Sequence, residues 1–325
     1  MKRAGPAITL FFVAPLVAEF LLGNLPITLI LALILLAPLY GGGALLIREV
    51  VRRSGRGWPT ILVLAFAYAV FEEAFTTQTL FNPNYLHLNL GLLKPAYIPA
   101  LGIGAWWTVF VLTLHTVWSI SVSIGLVEAL VPERATTPWL GSTGLTVTTA
   151  LFILGAVAST ALAIKQDHFI ASRAQFVWSA VACLVTIAIA FMLPKISSDP
   201  RSPGFVPSPW LVGAGALVAG SIFMVVPNAW AWRAVGIYLA LDLTVIVIFT
   251  TLSHRAGWSA MHRLALAGGA ALAYGWHSFI EKTVVGRGGI LVVRLGNAVF
   301  VSALLVLLVI AAKRVNEFLK PTHQR

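Results

Sequence analysis

Apolar residues in this chain neither alternate with polar ones nor recur at a helical spacing; they run on. Stretches of about 20 residues with hardly a charge follow one another along the chain, and each is long enough for a helix to cross the ~30 Å hydrocarbon core of a bilayer. The pattern predicts spans near residues 6–23, 26–48, 58–80, 103–131, 143–165, 173–194, 208–228, 230–252, 258–280 and 288–312. A membrane barrel would show short segments of alternating polarity instead. The fold class is therefore all-α, a polytopic transmembrane helical bundle of about ten spans.

The breaks between runs carry the orientation. Arg48, Arg52, Arg53 and Arg56 gather between the second and third spans, and Lys2, Arg3, Arg134, Lys195, Arg201, Arg255, Arg263, Lys313, Arg314, Lys320 and Arg325 fall on the same side. The opposite loops hold fewer cations: Lys94, Lys165, Arg173, Arg233, Lys282 and Arg287. This bias predicts that both termini are cytoplasmic. The external stretch 81–102 is long for a bundle loop and reads as a lid or a surface-lying segment. The Pro- and Ser-rich stretch 195–209 reads as a cytoplasmic linker between a six-span block, residues 1–194, and a four-span block, residues 210–325. No internal repeat is evident, which counts against transporters built from two related halves.

Composition agrees with this reading: 59% of residues are hydrophobic and 10% charged, against roughly 25% charged in soluble domains. The net charge of +11 is spread over short loops and forms no dense basic tract, so the expected partner is the lipid bilayer and not nucleic acid. The expected location is a bacterial plasma membrane. Leu16, at −3 from Glu19, is not the small residue a signal-peptidase site requires, and the first span reads as uncleaved. A single cysteine, Cys183, excludes an intrachain disulfide.

The candidate chemistry lies in Tyr68–Asn82, YAVFEEAFTTQTLFN, where Glu72 and Glu73 stand side by side within a membrane-length run. A carboxylate in hydrocarbon costs a few kcal/mol or more, so such a residue calls for a partner and points to function. On a regular helix neighbours diverge by ~100°, which places Tyr68, Glu72 and Thr76 on one stripe and Glu73 over Thr77 on another. Glu72 lies roughly 12 Å below the outer end of its span, and His115 lies roughly as deep in the next, antiparallel span, so one of the two acids is expected to meet His115. By the same depth argument Arg294 and Asn297, with His277 and Glu281, belong to the outer half and are candidate supporting residues. Such a cluster can lock helices together or form a water-activating acid/base site. No cofactor is assigned. A metal held by His277, Glu281 and His115 has ligand spacing alone behind it. Glu19 and Glu128, the latter near Arg134, read as structural, and Asp242 as an ion-path acid or a partner of Arg233 or Arg263. The glycines at 41–43 read as a point of close helix approach.

The paired glutamates followed by a histidine in the next span resemble the CPBP family of intramembrane proteases, which includes CAAX-processing enzymes and bacteriocin-related membrane proteins. The resemblance covers about residues 58–165. It implies that one of Glu72 and Glu73 activates water while His115 assists or stabilises the oxyanion. The pattern departs from the family's at three places. Position 77 is Thr where the first motif has Arg, Val111 stands four before His115 where the second has Phe, and no histidine falls in the fifth span. Three functions follow as expectations: an intramembrane hydrolase acting on a membrane-embedded peptide or small molecule, a proton-coupled transporter of a small molecule or lipid, and a non-catalytic immunity or assembly factor.

Overall fold

The computed structural model describes residues 4–196, 202–281, 283 and 289–320. Ten helical rods are seen there. They are α1 Gly5–Leu21, α2 Ile27–Arg53, α3 Trp58–Thr76, α4 Ala105–Leu130, α5 Ser142–Asp167, α6 Arg173–Met192, α7 Pro209–Val225, α8 Trp232–Ser253, α9 Ala260–His277 and α10 Ile290–Leu319. Seven of them (α2 to α6, α8 and α10) are long and apolar enough to cross a membrane, while α1 and α7 are shorter apolar helices. The chain is an all-α polytopic membrane protein. Its β structure among the described residues is one small antiparallel pair, β1 Tyr97–Ile98 with β2 Ile103–Gly104.

Burial sorts the rods. The apolar windows of α3 and α4 are 67% and 72% buried, whereas those of α5, α6 and α8 are 17% buried. Large side chains such as Leu154, Leu184 and Leu243 stand exposed on these outer rods, as expected of surfaces that face lipid tails and have no reason to be polar. The two acids and the histidine singled out in the sequence thus lie on the two most enclosed spans.

Small residues set the closest approaches, because lipid offers no hydrophobic drive for helix association and packing must supply it. A Cβ at Gly269 of α9 would overlap the carbonyl oxygen of Gly213 in α7, and one at Gly220 would stand 2.7 Å from the Cβ of Ala273. Within α2 the expected role of the glycine run holds. A Cβ at Gly41 would overlap the carbonyl oxygen of Phe11 in α1, and one at Gly43 would overlap the ring of Tyr68. The second half of the chain does not stand apart: α9 lies against α4, with Trp118 Nε1 donating to the Ala270 carbonyl at 2.7 Å and stacking on Tyr274 at 4.6 Å. Of the 195–209 linker, residues 197–201 lie outside the described part, as do Lys2, Arg3, Lys282, Arg287 and Arg325 of the charge argument.

At the basic end, the stretch 131–140 folds onto α2 through a buried ionic network. Arg48 Nε donates to Glu128 at 3.0 Å, and Arg52 pairs with the same carboxylate at 2.8 Å. Glu128 was expected beside Arg134; its partners are these two arginines, and Arg134 supplies a carbonyl oxygen to Arg48. At the opposite end the stretch 81–102 is pinned to the end of α5, where the Asp167 carboxylate accepts from Asn82 at 2.7 Å and from the Leu86 N–H at 3.0 Å.

Candidate functional site

Four turns among the described residues are π-helical: Leu16–Leu21 in α1, Ala37–Gly41 in α2, Glu72–Thr76 in α3 and His115–Val122 in α4. Each has a local cause. Pro15 precedes the first and Pro38 lies in the second, and a proline has no N–H for the regular i→i−4 ladder. Pro15 leaves the Phe11 carbonyl without its intrahelical donor, and Gly41 rests against that oxygen. In the third, the Thr77 N–H reaches back five residues to the Glu72 carbonyl at 2.9 Å, joined by the Thr77 hydroxyl at 3.3 Å. In the fourth, Ser121 and Ser123 hydroxyls donate to the carbonyls of Thr116 and Trp118, five residues back, at 2.7 and 3.2 Å. Hydroxyl side chains thereby satisfy acceptors that the widened turn exposes.

These four turns supply one cluster. His115 stands between the two acids, Nε2 at 2.9 Å from Glu73 Oε1 and Nδ1 at 3.2 Å from Glu72 Oε2. Both carboxylates therefore meet the histidine, where a regular helix would offer it one. A π turn has more residues per turn and brings neighbours closer in azimuth, and the two ring nitrogens point to opposite sides. Ser119 Oγ is also 3.0 Å from Nδ1. Glu72, Glu73 and His115 are 1%, 3% and 5% exposed, so the trio is sealed inside the protein at membrane depth.

The surroundings are hydroxyls and rings. Thr77 donates to Glu73 at 3.3 Å and Thr79 donates to the same oxygen; Thr79 in turn accepts from Trp107 Nε1 at 2.9 Å. The chain returns to make this contact through Gln78, held at φ +57° while its side chain accepts from the Ala171 N–H at 2.8 Å. Tyr40 stacks on His115 at 5.9 Å and lies 6.4 Å from Tyr68. The Tyr40 hydroxyl donates to Glu19 at 2.7 Å, and Glu19 also accepts from Asn24 at 3.3 Å. Among the described residues no arginine or lysine pairs with Glu72 or Glu73, and the polar atoms Glu72 Oε2, Thr76 Oγ1 and Tyr68 Oη lack an aligned hydrogen-bond partner.

The other candidates fall elsewhere. Arg294 is exposed on α10 and is not the counter-charge of the cluster. Asn297 is buried, but it donates to the Ser278 carbonyl at 2.6 Å. His277 and Glu281 pair with each other at 3.5 Å and are not part of the group that includes His115. Asp242 takes neither Arg233 nor Arg263; it accepts from the Thr113 hydroxyl at 2.7 Å, two residues before His115. Two members escaped the sequence reading, Glu19, which read as structural, and Tyr40. Their signal was a mid-span proline a few residues upstream of each, Pro15 and Pro38.

Glu72, Glu73 and His115 each offer one ligand atom within 4.8 Å of the other two, a donor set able to hold a metal ion. Compared with known proteins, the chain matches no curated protein and no solved structure. One family model does match, over residues 8–316, nearly the whole chain. The protein is a member of that uncharacterised membrane protein family.

Proposed function

We propose that the Glu72–Glu73–His115 cluster is a water-activating acid/base site, and that the protein is an intramembrane hydrolase acting on an acyl bond of a membrane-embedded peptide or small molecule. The observation that carries this reading is the convergence of the four π turns, each bringing polar groups to one buried point. Such turns interrupt the regular ladder and are frequent at functional sites. The order of a glutamate pair and then a histidine in the next span, similar to the CPBP proteases, supports the same chemistry, with hydroxyl donors where that family has arginine.

Roles follow from the contacts. Glu73 is held by Thr77, Thr79 and His115, whereas Glu72 Oε2 has no aligned donor and is the stronger candidate for the base. In the hydrolytic step Glu72 takes a proton from water as the water oxygen bonds to the acyl carbon, and the carbonyl electron pair moves onto its oxygen. His115, whose Nδ1 lies 3.2 Å from Glu72 Oε2, turns that N–H to the oxyanion once Glu72 has taken the proton. Collapse breaks the bond to the leaving nitrogen, which takes the proton back from Glu72.

The test is turnover of a library of fluorogenic membrane-embedded peptides by the full chain in liposomes. Glu72→Gln and His115→Gln should lower the rate about 10²–10⁴-fold, as loss of a general acid/base does, without dependence on an imposed proton gradient. Equal turnover in Glu72→Gln and the native protein would remove the hydrolase reading. The half-buried Asp242, hydrogen-bonded to Thr113 of the helix that carries His115, favours a second reading, proton-coupled transport. It predicts gradient-driven uptake that is lost in both Glu72→Gln and Asp242→Asn, with no cleavage.

A further inference from the structure

We propose that Glu72, Glu73 and His115 form a binding site for one divalent transition-metal ion, of which Zn²⁺ is the type. Sequence spacing assigns no metal to these three, because two adjacent acids and a histidine in the next span fit no compact ligand motif. The fold supplies what the spacing lacks: one carboxylate oxygen from each glutamate and one imidazole nitrogen, all within 4.8 Å of one another. Two atoms bound to the same zinc ion at about 2.0–2.2 Å stand roughly 3–3.6 Å apart. His115 Nε2 stands 2.9 Å from Glu73 Oε1, and the Glu72 carboxylate, which faces Nδ1 on the other edge of the ring, has to turn toward the same nitrogen for the three donors to share one ion.

Charge gives the second argument. The trio brings two carboxyl groups together, and Glu19 stands close behind Tyr40. Among the described residues neither Glu72 nor Glu73 has an arginine or lysine partner. A divalent cation held by the two carboxylates and the imidazole supplies the positive charge that no described arginine or lysine provides, at a depth where unpaired charge is costly. The remaining polar atoms suit the surroundings of a metal. Ser119 stands at Nδ1, Thr77 and Thr79 fix Glu73, and Trp107 fixes Thr79, which are the outer contacts that orient ligands. Glu72 Oε2 is buried and without an aligned hydrogen-bond donor, as are the Thr76 and Tyr68 hydroxyls one helical turn to either side of Glu72. Three protein ligands leave a position open, the arrangement of catalytic and not structural zinc sites.

The test uses the full chain purified in detergent and stripped with EDTA, then titrated with Zn²⁺ against a chromophoric chelator. One Zn²⁺ per chain is expected, with affinity lowered about 10- to 100-fold or more in Glu73→Gln and in His115→Gln, while Glu281→Gln binds as the native chain does. If those variants fail to fold, Co²⁺ added to the stripped native chain decides. Intense visible absorption of a four- or five-coordinate ion supports the site, and the weak spectrum of the aqueous ion overturns it. Zinc uptake by the native chain no greater than by a Glu72→Gln/Glu73→Gln/His115→Gln variant also overturns it. This outcome is separate from the hydrolase test: turnover without metal uptake sinks the metal site alone, and metal uptake without turnover sinks the hydrolase reading alone.

Discussion

Two clusters of buried ionisable groups share helices α2 and α4, one near their basic ends and one within the spans, and they are built on opposite principles. At the basic end, Arg48, Arg52 and the partly exposed Arg53 face Glu49 and Glu128, so that each carboxylate meets two guanidinium groups. No arm of Arg48 is idle: Nε meets Glu128, one terminal nitrogen meets Glu49, and the other donates to the carbonyls of Arg134, Ala135 and Thr137 at 3.0–3.1 Å. Trp139 covers the guanidinium at 3.2 Å, and its N–H donates to Glu49 at 2.7 Å. Within the spans, Glu72 and Glu73 flank one histidine and Glu19 is held by the Tyr40 that stacks on it, with no arginine or lysine partner among the described residues. The first cluster is compensated and ties the 131–140 stretch to α2. The second brings carboxyl groups together with no arginine or lysine partner among the described residues. Intramembrane acids alone therefore do not separate the two clusters; the cationic partners of the one and the irregular helix turns of the other do.

The comparison breaks if removing a member of the basic-end cluster is harmless. Arg48→Met leaves Glu49 and Glu128 short of partners and three carbonyls without a donor, and should cost about 3–5 kcal/mol, the range for breaking a buried ion pair. Thermal unfolding in detergent reads this directly, and a melting temperature equal to the native one would show that the network does not secure the fold. Next in size is Tyr40→Phe, which removes the hydroxyl donor of the Glu19 carboxylate while keeping the ring on His115. A hydrogen bond to a charged group contributes about 1.5–3 kcal/mol, so a similar loss in denaturant unfolding is expected. No loss would mean that Glu19 is satisfied by Asn24 alone. Gly41→Ala tests the scaffold of the second cluster, because the added methyl meets the Phe11 carbonyl. Forcing α1 and α2 apart should cost about 1–3 kcal/mol, and a variant as stable as the native chain would show that this close approach is slack.

The contrast also explains what the sequence could and could not tell. The helical rods follow from run length alone, since the bilayer fixes how many apolar residues a span needs. The pairing of Glu72, Glu73 and His115 was legible from depth and from the antiparallel order of consecutive spans. That both acids reach the histidine was not, because a constant ~100° per residue separates them and a π turn does not keep that angle. Arg294 shows the limit of reasoning by depth: it sits on a span of the right polarity, but helix rotation, set by packing, turns it to the outside. Glu128 was read beside its sequence neighbour Arg134, whereas the network comes from α2, a long-range contact that no local spacing encodes.

The smallest effect expected on stability is the sharpest test of the comparison. Glu73→Gln keeps the shape of the side chain and an oxygen that can accept from Thr79, while its amide takes the place of the oxygen facing His115. It removes one of two neighbouring carboxyl groups and leaves His115 with a partner, Glu72 at 3.2 Å. In a compensated cluster the same kind of change, loss of one charged partner, costs several kcal/mol. Here the loss of a partner and the relief of like-charge repulsion oppose each other, so stability should move by less than about 1 kcal/mol, with a gain as admissible as a loss. The measurement is denaturant unfolding of Glu73→Gln beside Glu128→Gln, which removes the carboxylate shared by Arg48 and Arg52 and should lose several times more. Equal losses in the two variants would place Glu73 among ordinary structural ion pairs and remove the distinction between the clusters.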